Sequence, residues 1–527
     1  MAGQPTISDI PKVDEVKHMR DVVRPSPRTD RAHGASEVAQ GRSRRWTALV
    51  IIALAQLMIA LDATIMSIAL PSVQIALHIA DAHRQWVITA YTLAFGGLLL
   101  LGGRIADSMG RKRTFLIGLA GFAAASGLGG AAPSLGLLVG ARALQGAFGA
   151  ILAPTALSLL VVTFTEARDR AKAFAVYGGI AGCGGVAGLI LGGVLTEYVN
   201  WRWCLYVNIP IAVIALFGSW IVLSDSRTAG RSRFDLLGVV LVTGALAALV
   251  YACSEAVGHG WGSRTVVVLL GAGSVLLVLF VWHESRTVTP LLPLRILVNR
   301  NRGGAYLAVA LAIVGMFGLF LLLTYYFQVV LHYSPVQAGV AFLPLTAALL
   351  ISSGAIASRL LPHVAPRALM VPGLLVASAG MAVLTQLQVD SGYITHILPA
   401  EILLGLGIGC VMVPAISTAT SGVEPRDVGV ASATVTTAQQ IGGSIGTALL
   451  NTIAASATAS YLTSHPQDAV TRTASMIHGY AVATAYGAGI LVVAAVLAAI
   501  MITIGKPAKH PGDGPPMAVG GPSTTDR

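Results

Sequence analysis

Long apolar runs separated by short polar turns recur from one end of this 527-residue chain to the other. Each is about as long as a helix needs to cross a ~30 Å hydrocarbon layer, which takes ~20 residues. Charged residues make up 11% of the chain and hydrophobic ones 55%, against about a quarter charged in a soluble protein. The alternating strands of a membrane barrel are absent, so the spans read as helices, which satisfy their own backbone polar groups in lipid. We expect an all-α polytopic membrane protein with fourteen spans, at 46–69, 85–103, 114–132, 135–160, 172–195, 203–223, 234–253, 265–282, 304–329, 336–356, 368–386, 395–414, 430–452 and 479–503.

An even number of spans puts both termini on one side. With that side in the cytoplasm, 29 of the 34 Lys and Arg residues lie there. Arg84, Arg202, Arg264 and Arg472 lie outside, and Arg142 falls within a span. This is the asymmetry of a bacterial cytoplasmic-membrane protein. The net charge of +11 is therefore topological, and no nucleic-acid partner is expected. Residues 1–45 and 506–527 are polar and expected as disordered cytoplasmic tails.

Cys183, Cys204, Cys253 and Cys410 fall in spans without metal-ligand spacing, and the histidines are scattered. No metal, cofactor or disulfide framework is expected, nor the nucleophile–base set of an enzyme. The run 182–187 imitates a dinucleotide fingerprint but lies mid-span, and no Walker-type loop occurs to support ATP-driven transport.

Two pieces of the chain occur twice. Residues 166–173 lead into the fifth span as residues 424–431 lead into the thirteenth, and Gly103-Arg104-Ile105-Ala106-Asp107 has a worn copy in Gly354-Ala355-Ile356-Ala357-Ser358. The offsets of 258 and 251 residues make six helices repeat, with spans seven and eight inserted between the halves. We expect an N-terminal bundle (46–223), an inserted pair with linkers (224–303) and a C-terminal bundle (304–505). Parallel repeats of this kind build two bundles that rock about a central cavity.

Isolated charges in lipid cost at least ~2.5–3.5 kcal/mol, so each should face a cavity or a partner. Asp62 lies sixteen residues after Trp46, about 24 Å up the first helix. Arg142 lies at comparable depth in the fourth span. The two form either a proton-coupling pair or a structural ion pair between the first and fourth helices. Glu401, opposite Arg142 in the repeat when Gly146 is aligned with Gly405, is either a second coupling or cation-binding carboxylate or an interfacial one. Glycines crowd the fifth span, among them Gly184, Gly188, Gly192 and Gly193, and with Gly146 are expected to pack helices at backbone distance.

The chain resembles the fourteen-helix drug:proton antiporter branch of the major facilitator superfamily over residues 46–505. Residues 61–71, beginning Leu61-Asp62-Ala63-Thr64, resemble its first-helix motif, and Arg142-Ala143-Leu144-Gln145-Gly146 its fourth-helix motif. The turn Gly103–Arg113 resembles the superfamily's loop motif. Trp201-Arg202-Trp203, Asn208-Ile209-Pro210 and Gln440-Ile441-Gly442-Gly443 are typical of the branch.

The resemblance implies proton-coupled efflux of amphipathic or cationic drugs by a monomer. The family's fourth-helix motif would give Arg142 a part in proton transfer, joining Asp62 and Glu401 of the charge reading as the expected proton-coupling set, and its loop motif would make Gly103, Asp107, Gly110, Arg111 and Arg113 a conformational gate. We further expect Gln145, Gln440, Tyr325, Tyr326 and Phe327 to line the substrate cavity, the aromatic residues being otherwise lipid-facing or core residues. A dedicated exporter of one metabolite or self-made antibiotic would look the same. Two departures stand out: Leu189 replaces the proline of the family's fifth-helix motif, and Ser358 replaces the loop aspartate in the second half.

Overall fold

Gly110, at φ +92°, lets one helix turn into the next within a single residue, a conformation that favours glycine. Elsewhere polar caps start the spans. The Asn299 side chain accepts from the backbone N–H groups of Asn301 and Arg302, and Ser334 with Gln337 forms a reciprocal capping box.

The computed structural model describes residues 27–81, 83–164, 166–223, 235–287, 290–292, 294–388, 391–423, 428–465 and 469–505. Within these lie fourteen principal helices and no strand. The first six are α1 (Pro27–Ala76), α2 (Trp86–Met109), α3 (Arg111–Gly130), α4 (Leu135–Thr163), α5 (Ala167–Tyr198) and α6 (Trp203–Val222). An inserted pair follows, α7 (Leu236–His259) and α8 (Arg264–Arg286). The last six are α9 (Arg300–Val330), α10 (Pro335–Leu360), α11 (Pro366–Leu384), α12 (Tyr393–Thr420), α13 (Val428–Thr463) and α14 (Ala469–Met501).

Eleven of these are long and apolar enough alone to cross a membrane. The others, α2, α3 and α13, carry the basic turn or many Thr, Ser and Gln residues, and they take the expected second, third and thirteenth positions.

The expected tail at 1–45 needs correcting. Residues 1–26 and 506–527 lie outside the described residues, but 27–45 are helical and continuous with the first span. Pro27 suits a helix start, and no further proline breaks the hydrogen-bond ladder before Pro71.

The halves repeat in their packing. The pairs α1·α5, α2·α4, α3·α4, α3·α6 and α1·α6 recur as α9·α13, α10·α12, α11·α12, α11·α14 and α9·α14. The register is local as well. A Cβ on Gly146 would strike the Tyr91 carbonyl, Ala94 and Phe95, and one on Gly405 would strike the Leu345 carbonyl, Ala348 and Leu349. Likewise Gly188 and Gly192 lie on the Leu61 and Ile65 carbonyls, as Gly442 and Gly446 lie on those of Ala310 and Val314. Helix α7 sits across the α2·α13 seam, tied by Thr452 Oγ1 donating to the Cys253 carbonyl (2.7 Å), and α8 packs on α7.

The two halves meet asymmetrically along their length. At the end remote from the basic turn, Leu61, Ile65, Ile68, Leu70 and Val73 share one core with the second half. Toward the basic end, Ile52, Met58, Phe95, Leu99 and Phe115 form a core within the first half alone. There Gly178 and Gly179 of α5 and Gly354 of α10 have open space where a side chain would stand. The buried core thus joins the halves at the far end and stays within the first half toward the basic end.

Candidate functional site

Apolar helices leave few places for a charge, and one cluster gathers the polar side chains of five. Helix α1 supplies Asp62, α4 supplies Arg142 and Gln145 one turn apart, α6 supplies Asn208, α3 supplies Ser126 and α2 supplies Tyr91 with the Val87 carbonyl. Asp62 is 0% and Arg142 1% exposed.

Arg142 Nη1 donates to Asp62 Oδ2 at 2.6 Å. Asp62 Oδ1 accepts from Asn208 Nδ2 at 2.9 Å and Gln145 Nε2 at 3.2 Å. The guanidinium also donates from Nε to the Val87 carbonyl (3.1 Å) and from Nη1 to Gln145 Oε1 (3.0 Å), and it lies 4.4 Å from the centre of the Tyr91 ring. Gln145 Nε2 has a second acceptor in Ser126 Oγ at 2.7 Å.

Breaking one partner out of such a buried pair costs about 3–5 kcal/mol, because the remaining charge is stranded. Here Arg142 and Gln145 each have an alternative acceptor, while Asn208 Nδ2 has Asp62 alone. A proton arriving on Asp62 turns an acceptor-only group into a hydroxyl donor. Arg142 then keeps Gln145 Oε1 and the Val87 carbonyl, and Gln145 keeps Ser126. The cluster can therefore exist in two hydrogen-bonded arrangements.

Glu401 stands apart, in the other half. It is buried on α12, with Oε2 accepting from the Tyr393 hydroxyl at 3.2 Å and Oε1 unpartnered. The shared register puts Leu311 where the first half has Asp62, so Glu401 has no counterpart of the ion pair.

The five expected packing glycines all sit at close helix contacts. Gly184, Gly188 and Gly192 lie on α1, Gly146 on α2, and Gly193 against Pro335 and Val336 of the second half. Leu189, in place of the family's proline, belongs to an unbroken α5, and its carbonyl lies against Gly339 of α10.

At the basic turn, Arg104 donates to the Pro290 carbonyl (2.9 Å) and Lys112 to the Trp220 carbonyl (2.8 Å). Arg111 is half-buried, Arg113 exposed, and Gly103 lies beside Pro154. The Asp107 side chain lies outside the described residues, as do residues 424–427 of the repeated turn.

Of the expected cavity residues, Gln145 belongs to the Asp62 cluster and Gln440 meets Gly96 at the α2·α13 seam. Tyr325 and Tyr326 are buried at the far end, donating to Gln74 Oε1 and to the Gln388 carbonyl respectively. Phe327 packs among Tyr333, Phe342 and Tyr393.

Sequence reasoning gave no role to Asn208, Ser126 or Tyr91. Only Asn208, an amide in an apolar span, carried a signal. No group of three or more His, Cys, Asp or Glu side chains is placed to hold a metal ion among the described residues.

The family model described as Major Facilitator Superfamily matches residues 52–447. The chain is 54% identical to the puromycin resistance protein pur8 of Streptomyces alboniger, over 87% of this chain and 92% of that one. It is 40% identical to the cephamycin export protein CmcT of Amycolatopsis lactamdurans (83% and 91% covered). With the multidrug efflux pump LfrA of Mycolicibacterium smegmatis it shares 33% identity (80% and 83% covered). Among solved structures, a bacterial homologue of the human lysosomal transporter Spinster, inward-facing and unoccupied, superposes with TM-score 0.63 at 14% identity, over 87% of this chain and 97% of that one.

Proposed function

Because the chain belongs to the Major Facilitator Superfamily, we propose that it is a proton-coupled efflux transporter that exports amphipathic or cationic antibiotics by alternating access. In this reading the basic end faces the cytoplasm with both termini, an orientation that the Lys and Arg distribution supports, and the conformation is inward-open.

The observation that carries the proposal is the buried Asp62–Arg142 pair with its spare acceptors. An exchanger needs a group that holds a proton in one state and gives it up in another. Asp62 meets that requirement, with Arg142 as the counter-charge and Gln145 and Asn208 positioning the carboxylate. A proton loaded from outside is carried in and released to the cytoplasm, after which Asp62 pairs again with Arg142 and substrate enters from inside. Glu401, with one oxygen unpartnered, offers a second carboxyl for a proton or for the positive end of a cationic substrate. The basic turn is the proposed conformational gate, its Arg104 and Lys112 already bridging neighbouring segments.

A dedicated exporter of a single antibiotic is the second reading, favoured because relatives at 54% and 40% identity are named for puromycin and for cephamycin. Expression in a drug-sensitive bacterium tests both. Efflux predicts lower accumulation of at least one compound from a panel of dyes, puromycin and β-lactams, reversed by a protonophore. Protection against one compound only selects the dedicated exporter. Accumulation that never changes, or that ignores the protonophore, removes the proposal.

A further inference from the structure

Arg84 is an outward-lying charge by topology, yet it is 6% exposed. It sits in the turn between α1 and α2 and reaches across to the second half. Its Nε and Nη2 both donate to Asn451 Oδ1 of α13, at 3.2 and 3.1 Å, and its guanidinium carbon lies 3.7 Å from the centre of the Tyr325 ring of α9. Asn451 Nδ2 returns the contact to Gln85 Oε1 at 2.9 Å. Around this knot Tyr325 bonds Gln74, Gln328 Nε2 bonds the Ile68 carbonyl (2.9 Å), and the Val336 N–H bonds Glu197 (3.0 Å). All of these join the first half to the second at the outer mouth.

The electrostatics suit a contact that opens. Among the described residues the one carboxylate near Arg84 is Asp81, at 3.4 Å and 74% exposed, so the buried cation is held mainly by an amide and an aromatic face. Tyr480 of α14 is buried beside it, while His78 and His83 of the same turn are exposed. Opening the mouth returns the guanidinium to water, which offsets the lost contacts.

The clasp is also wired to the ion pair. Arg142 Nε donates to the Val87 carbonyl, and Val87 is the residue whose N–H closes the turn onto the Arg84 carbonyl (3.3 Å). One turn of backbone therefore separates Arg142's acceptor from the residue that grips Asn451.

We propose that Arg84 is the clasp of the outer mouth and that the Asp62–Arg142 pair keeps it shut through the Val87 carbonyl, so that the carrier holding neither proton nor substrate cannot open outward. The link to Asp62 rests on the proton-carrying role proposed above. The groups facing Asp62 are Arg142, Gln145 and Asn208, with Tyr91 beyond Arg142. Either ligand breaks the pair and frees the clasp: a proton by neutralising Asp62, a substrate by drawing off Arg142 or Asp62. An empty outward return, which would uncouple the exchange, is blocked.

Distances across the outer mouth test this in the full-length protein. Spin labels go at Tyr198→Cys of the first half and Ile394→Cys of the second, both exposed, with the exposed Cys183 replaced by Ala. Electron–electron resonance on the labelled protein should give one short distance at neutral pH. R84Q and N451A should each move at least half the molecules to a longer distance, and the double variant no further than the larger single effect. Acidification should lengthen the distance in the parent and leave Asp62→Asn, already shifted, unresponsive. Arg84→Gln should also leak substrate downhill without proton return.

Should Arg84→Gln fail to insert, Asn451→Ala reports on the same contact. Parent-like distances in the clasp variants overturn the clasp whatever the proton assay gives. A normal acid response in Asp62→Asn, with the clasp variants open, overturns the link to Asp62 and the proton reading with it.

Discussion

Asp62 accepts from three side chains, and Asn208 is the donor whose contribution is easiest to isolate, since its Oδ1 has no partner of its own. A hydrogen bond to a charged group is worth about 1.5–3 kcal/mol. Asn208→Leu, which leaves the ion pair in place, should lower thermal stability in detergent by that amount and slow proton-driven transport tenfold or more, while substrate counterflow without a gradient persists. Equal loss of both transport modes would make Asn208 a packing residue only. Asp62 and Arg142 were legible in the sequence because an ionised side chain in an apolar span is costly and therefore rare. The amides and hydroxyls that complete their coordination carry no such penalty, so Ser126 and Tyr91 left no trace in the pattern. Arg84 misled in the opposite way: a charge in an outer turn reads as solvated, and only the three-dimensional contact with Asn451 buries it.

Among the elements, α5 shows how glycine spacing becomes geometry. Gly188 faces Thr64 Oγ1 and the Leu61 carbonyl, whereas Gly185, less than one turn away, has open space where its side chain would be. Valine at position 188 forces α1 and α5 apart, and overpacking of this kind costs about 1–3 kcal/mol. Gly188→Val should therefore lower the unfolding temperature and abolish transport, and Gly185→Val should do neither. Matching effects of the two substitutions on melting would refute close packing as the role of Gly188. Eleven of the fourteen spans are apolar enough to be read from hydropathy alone, since bilayer thickness dictates their length. Their ends could not be read so, because capping and continuation depend on local bonds: α1 begins at Pro27 rather than near Trp46, and α13 continues to Thr463. Leu189 illustrates the same limit, for the missing proline announces an unbroken helix but not that the Leu189 carbonyl rests on Gly339.

At the level of the whole molecule, the repeat seen in two short polar turns holds for the packing of both six-helix halves. What the sequence did not reveal is the broken symmetry. The ion pair exists in the first half alone, with Leu311 and Glu401 at the matching places of the second, and the buried core joins the halves at one end only. The one-sided joining of the halves depends on which of two arrangements the same contacts adopt, and a linear pattern does not choose between them. The account rests on one claim, that the carboxylate of Asp62 is the group that carries the proton against the substrate. Proteoliposomes with a pH-sensitive dye in the lumen measure this directly. A substrate gradient should drive a protonophore-sensitive proton flux in the opposite direction through the native protein, and Asp62→Asn should exchange substrate with that flux absent. Proton movement through Asp62→Asn at the native rate would contradict the account.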